Sequence, residues 1–266
     1  MFAKFRLLDF ENFHENENTA VEKMQEDKKN LETYFSKADI KKYFLSDDEM
    51  SAKKIMEDWF NAVDADVFLS HSHMDEPKVA AFAYWLEEEY GIKCFIDSFV
   101  WGYANQLIEK LDNEFSSPKH LKLDEATDEV STVFAYNDCL KSSSHVHMML
   151  ASALTKMIDK TECFLFLQSS NSASLDFYEN MESTKSPWIY HELNTVATIR
   201  THIEDIDLHE SFEVAQEHTK LKISYPAQLD DLKPIYMDDL YNLKDNTNHL
   251  YGKKLLRSLY SKNGMR

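Results

Sequence analysis

Between Asp66 and Asp97 the chain reads DVFLSHSHMDEPKVAAFAYWLEEEYGIKCFID, and this stretch restricts the fold more than any other. DVFLS is a short apolar run of the kind that forms a buried strand. Pro77 suits the first turn of a helix. The segment KVAAFAYWLEEEYG then places Val79, Phe82, Ala83, Leu86 and Tyr90 on one face of an amphipathic helix, with Gly91 as its terminator. IKCFID follows at once as a second buried strand. Strand, helix, strand in that order implies a parallel pair joined by a right-handed crossover.

The rest of the chain extends this alternation. SFVWGYANQ reads as a loop leading into a helix around QLIEKLDNEF, and residues 116–128 read as a polar insertion. SSSHVHMMLASALTKMIDK reads as a helix capped near Ser144. TECFLFLQSSNS holds a third strand, Glu162 to Gln168. Ser186 as N-cap and Pro187 at the first helical position start a helix over SPWIYHELNTVATIRTHI. TKLKISYP is a fourth strand candidate, LKPIYMDDLYNL holds a short fifth strand with its loop, and HLYGKKLLRSLY is a closing helix. Residues 1–62 are charged and glycine-free, and read as a helical N-terminal extension. The expected division is therefore an extension over 1–62, an α/β domain over 63–245 and a C-terminal helix over 246–266. Strands buried on both faces and alternating with helices make a doubly wound α/β sheet. Sites in such sheets lie at the carboxyl ends of the strands, where Ser70-His71-Ser72, Asp97-Ser98 and Ser169-Ser170 fall.

Charge and composition narrow the function. The net charge of −18 argues against nonspecific binding to nucleic acid or to an anionic membrane, which need a basic surface. Three cysteines without a CxxC pair are neither a disulfide framework nor a zinc knuckle, and fit a reducing, cytoplasmic setting. No window approaches a membrane span and no signal peptide is evident. The four glycines, at 91, 102, 252 and 264, cannot form GxGxxG or GxxxxGK[ST], so a glycine-cradled phosphate site of either kind is excluded.

His71 and His73 in HSHMDE have a spacing that can hold a metal, and a metal-dependent hydrolase is one reading of it. That chemistry needs more ligands from later strand ends. His145 and His147 fall at a helix start instead, and His191 lies within a helix. The expectation is accordingly that no metal is bound.

DVFLSHSHMDE, LEEEYGIKCFIDSFVW, TECFLFLQSSNS and SPWIYHELNTV, in that order, resemble the successive blocks of a bacterial Toll/interleukin-1 receptor (TIR) domain. The resemblance covers roughly Asp66 to Pro234, with 116–143 poorly matched. It implies a flavodoxin-like fold. The last block, a helix opening S-x-W with a glutamate four residues past the tryptophan, is here Ser186, Trp188 and Glu192. Some TIR domains cleave NAD at the nicotinamide–ribose bond and need that glutamate; others are non-catalytic scaffolds that pair with further TIR domains. In bacteria the enzymes commonly serve antiphage defence, including Thoeris-type systems in which the product signals to a separate effector. The resemblance therefore implies NAD as substrate, no bound cofactor, and homo-oligomers formed through TIR contacts.

Such chemistry asks for one carboxylate. Nicotinamide leaves neutral, so no general acid is required. A carboxylate against the ribose stabilises the oxocarbenium-like state by preorganised charge, an effect whose loss costs on the order of 100- to 1000-fold in rate. Glu192 takes that role, and Trp188 shares its helix face at i and i+4. Ser70 and His71 are expected to line the nicotinamide–ribose end, and Asp97, Ser98 and Trp101 the opposite wall.

Overall fold

The computed structural model describes residues 3–14, 22, 26, 29–31, 33–47, 49–116, 118–124, 129–176, 181–199, 224–243 and 250–264, and only the backbone of 98–102, 118–124, 129–133, 175–176 and 181. In chain order its elements are β1 (Ala3–Leu7), α1 (Ala52–Trp59), β2 (Val67–Ser70), α2 (Glu76–Tyr90), β3 (Cys94–Ile96), α3 (Ser98–Phe115), β4 (Pro118–Asp124), β5 (Glu129–Phe134), α4 (Tyr136–Lys160), β6 (Cys163–Leu167), β7 (Ser174–Asp176), β8 (Met181–Thr184), α5 (Pro187–Thr198), β9 (Tyr225–Pro226), β10 (Lys233–Ile235), α6 (Met237–Tyr241) and α7 (Lys253–Lys262). The chain divides into two compact units, one of residues 1–27, 62–98 and 154–266, the other of residues 28–61 and 99–153.

The first unit is an α/β structure around a five-stranded parallel sheet of order β10-β1-β6-β2-β3. β2 and β6 are buried at every position, as continuous apolar runs in a sheet covered on both faces should be. α2 and its terminator follow the sequence: Gly91 is left-handed at φ 65° and donates to the Glu87 and Leu86 carbonyls. Phe10 and Phe13 pack edge-on against Phe82 of α2. β10, which carries Pro234, lies at the sheet edge, where a missing N–H does no harm.

Residues 3–7 depart from the expected helical extension. They form β1, an interior strand paired with β6 on one side and β10 on the other. AKFRL alternates, with Ala3, Phe5 and Leu7 buried and Lys4 and Arg6 half-buried on the opposite face. Each of those two cations finds a partner distant in sequence. Lys4 Nζ donates to the Val196 carbonyl, in the last turn of α5, at 2.5 Å. Arg6 grips the Glu182 carboxylate with both terminal nitrogens and reaches Gln168 Oε1 through Nε at 2.5 Å.

Other boundaries differ too. SFVWGYANQ is not a loop: the chain leaves β3, turns at Asp97 and is helical from Ser98. Where a polar insertion is expected over 116–128, residues 118–124 form β4, which pairs antiparallel with β5 over 129–134. α4 begins at Tyr136, ahead of the serine run, because Ser144 and Ser152 bond back to the Leu140 and Met148 carbonyls at 2.7 and 2.8 Å, so the helix absorbs them. Of TKLKISYP only Ser224 to Pro226 lie among the described residues, and Tyr225–Pro226 pair antiparallel with β8 rather than joining the central sheet.

In the second unit Phe35 stacks on Trp59 and tilts against Tyr103, at 4.4 and 4.9 Å between ring centroids. Trp59 Nε1 donates to Tyr43 Oη at 2.8 Å. Ser51 caps α1 by accepting from the Lys54 N–H. Among the described residues no helix is long and apolar enough to cross a membrane.

Gly91 supports a direct test. A Cβ there meets Tyr251 Cε1 at 1.9 Å, and the left-handed backbone adds its own strain. Gly91→Ala is expected to lower stability by about 1–2 kcal/mol from the backbone alone, and by more with the ring in place. In urea titrations, adding Tyr251→Ala to Gly91→Ala should recover the steric part and leave the backbone part.

Candidate functional site

At the carboxyl end of the sheet two strand exits meet a helix. β2 finishes in Ser70 and runs into His71 and Ser72, and β3 stops one residue short of Asp97. α5 approaches them from its Ser186 cap, whose Oγ accepts from the Ile189 N–H at 3.3 Å. One turn apart on α5, Trp188 and Glu192 are both buried, and Glu192 has 0% exposure.

The contacts form one cluster. Ser70 Oγ donates to Glu192 Oε2 at 2.6 Å. Asp97, also buried, lies close enough for its charge to act on the same carboxyl. Asp97 Oδ1 is 3.1 Å from His71 Nδ1, which is equally 3.1 Å from the Leu69 carbonyl. The Leu69 carbonyl can only accept, so the imidazole carries a proton on Nδ1 and donates it there, while Asp97 Oδ1 receives no hydrogen bond among the described residues. His71 Nε2 is buried and has no hydrogen-bond partner among the described residues.

Burial first, and then the Asp97 carboxylate, hold the Glu192 carboxyl well above the usual carboxylate range, with the Ser70 hydroxyl pulling the other way. Two carboxylates in one dry site do not both ionise. Fully ionised, the pair would leave Glu192 Oε1 buried with no donor. A proton retained on Glu192 removes that deficit.

Of the residues expected at the site, Ser70, His71, Asp97, Trp188 and Glu192 are thus gathered in the first unit. Ser98 and Trp101 fall in the opening turn of α3, and their side chains lie outside the described ones. Asp97, expected on a pocket wall, is the charge that burial sets beside Glu192 and that helps to raise the pKa of its carboxyl. An acid one residue past a buried strand is the signal that marks it. Ser169, expected on a pocket floor, instead donates to Asp75, which also accepts from Asn171 Nδ2 at 2.7 Å. Asp75 therefore pins the turn after β2 to the loop after β6.

The two histidines of HSH part company. His71 is buried against Asp97, whereas His73 begins a 3₁₀ turn, is largely exposed and faces Glu76 at 3.2 Å. His191 Nε2 lies 3.3 Å from Thr155 Oγ1, and His145 and His147 belong to the other unit. Among the described residues no three His, Cys, Asp or Glu side chains gather as a metal-holding group.

Comparison of the chain with family models, curated proteins and solved structures finds no match.

The retained proton has a measurable consequence. Below pH 4.5, the ordinary glutamate value, folded and unfolded chains both hold it; above, only the folded chain does. Stability from this group is therefore full at low pH and declines as pH rises, until the folded carboxyl itself ionises. Glu192→Gln keeps the acceptor for Ser70 and removes the titration. Its stability relative to the parent should climb by up to about 1.4 kcal/mol per pH unit above the ordinary value. Urea midpoints read the difference, and a flat line between about pH 5 and 8 contradicts the retained proton.

Proposed function

We propose that the chain is a TIR-domain enzyme that cleaves NAD at the nicotinamide–ribose bond, with Glu192 as its catalytic carboxylate. The observation that carries this reading is the 2.6 Å bond from Ser70 Oγ to Glu192, made at the exit of β2 beside Asp97 and His71. The five-stranded parallel sheet supports the α/β half of the reading. Numbered along the chain, β3-β2-β6-β1-β10 is 3-2-4-1-5, which follows the flavodoxin-like 2-1-3-4-5 only in the neighbours β3-β2-β6, because the fourth place is taken by the chain's first strand.

The chemistry follows from charge. As nicotinamide departs, positive charge builds on the ribose, and a carboxylate held in a dry site stabilises it strongly. Glu192 must be ionised for this. The pyridinium of bound NAD is itself a cation, and its arrival beside Glu192 favours the ionised form and expels the retained proton to solvent. Trp188 keeps water from the carboxylate. The product, ADP-ribose, a cyclic isomer or a conjugate according to what accepts the ribosyl group, is a signal to a separate effector in antiphage defence. Glu192 has 0% exposure, so NAD reaches it only after the cluster opens. The closed arrangement is a resting state, and assembly into homo-oligomers through TIR contacts is the event that opens it.

The test is release of nicotinamide from NAD by the full chain over a range of protein concentrations. Glu192→Gln should slow it on the order of 100- to 1000-fold. No release by the parent at any concentration sinks the reading, as does equal release by the variant. The complete burial of Glu192 favours a second reading, a non-catalytic TIR scaffold. A scaffold yields no nicotinamide, and its self-association survives Glu192→Gln.

A further inference from the structure

A separate cavity of about 480 Å³ lies wholly within the second unit, and its lining falls into two chemistries. Ile55, Leu111 and Met149, all buried, form an apolar floor that Phe115 extends towards solvent. The other wall is a polar stripe along α4, with Asp138, Lys141 and His145 at helical spacing. The volume lies inside the usual range for small-molecule sites, which likewise combine an apolar body with a few convergent polar groups.

The stripe carries one fixed charge of each sign. Lys141 Nζ stands 3.9 Å from Asp138 Oδ1, with the lysine side chain 76% exposed and the aspartate 30%. An exposed pair at that distance contributes at most about 1 kcal/mol, so a ligand can part it at little cost. A single anion would face Asp138, and a single cation would face Lys141. A molecule bearing both charges within a few bonds of each other satisfies the two at once and lays its remainder on the apolar floor.

We propose that this cavity binds a small zwitterion with a large apolar body, namely an apolar α-amino acid or a dipeptide. Its carboxylate takes Lys141, with His145 one turn further along the same wall. Its ammonium takes Asp138. The hydrophobic side chain fills the space over Ile55, Leu111 and Met149. The proposal stands apart from the NAD reading, because it uses none of the residues around Glu192.

The full chain is titrated calorimetrically with L-phenylalanine and with L-phenylalanyl-L-leucine, and with the N-acetylated and C-amidated form of each. Saturable binding of at least one zwitterion is expected, with either blocked form weaker. Asp138→Asn should weaken the zwitterion about tenfold and abolish the preference over the acetylated form. Lys141→Met should weaken it about tenfold and abolish the preference over the amide, each loss being that of one charge-assisted hydrogen bond. Both side chains reach solvent, and unchanged far-ultraviolet circular dichroism verifies the fold. The proposal is overturned if no probe binds saturably at millimolar concentration, if the blocked forms bind as tightly, or if neither substitution alters affinity.

Discussion

Five residues near the start of the chain hold its sheet together. β1 stands between β6 and β10, with Phe5 opposite Leu165 on one side and Lys233 on the other. Without it β10 has no partner in the sheet and β6 presents an open edge, an arrangement parallel sheets rarely tolerate. The strand also carries two cations into a half-buried layer, where each needs a partner. Arg6 finds the Glu182 carboxylate, and Lys4 finds the Val196 carbonyl. That second bond reaches the last turn of α5, where unpaired carbonyls and the helix dipole both favour a cation. The helix that bears Glu192 is thus held at one end by its Ser186 cap and at the other by a lysine of the central strand.

What could be read in the sequence was whatever its local pattern dictated. The Asp66–Asp97 unit was legible because an apolar run, an amphipathic helix with its glycine terminator, and a second apolar run each speak for themselves. The start of α5 was legible because Ser186 and Pro187 are both position-specific. β1 was not. AKFRL is short and alternates with charges that are satisfied only by residues more than 160 positions away, so its strand character depends on tertiary partners. α3 and α4 were misjudged at their starts for a related reason. The run SFVWGYANQ carries a glycine, and the run of three serines looks like a cap, yet side-chain bonds back to the helix carbonyls let α4 continue through its serines.

The site was legible in its members and less so in its electrostatics. Ser70, His71, Asp97, Trp188 and Glu192 are all marked by strand ends or helix spacing. Nothing in that spacing says that Glu192 retains a proton beside Asp97, because the retention follows from complete burial, and burial follows from how α5 lies across the exits of β2 and β3. The Asp75 clamp on Ser169 and Asn171 was hidden likewise, since it joins loops almost a hundred residues apart.

A buried acid pair is an expensive way to fill a core. Ile96 and Leu193, each next to one of the two acids in sequence, are buried at no electrostatic cost. The pair is retained with a hydroxyl on one acid and an imidazole on the other, and with His71 Nε2 left buried and unpartnered among the described residues. Clusters of that kind mark functional sites more often than structural ones. On the proposed NAD reading the closed cluster is self-consistent as a resting state. Glu192 keeps its proton in the dry site, and a cation or water brought against it would release that proton, so the field the proposed cleavage needs would develop when the substrate arrives.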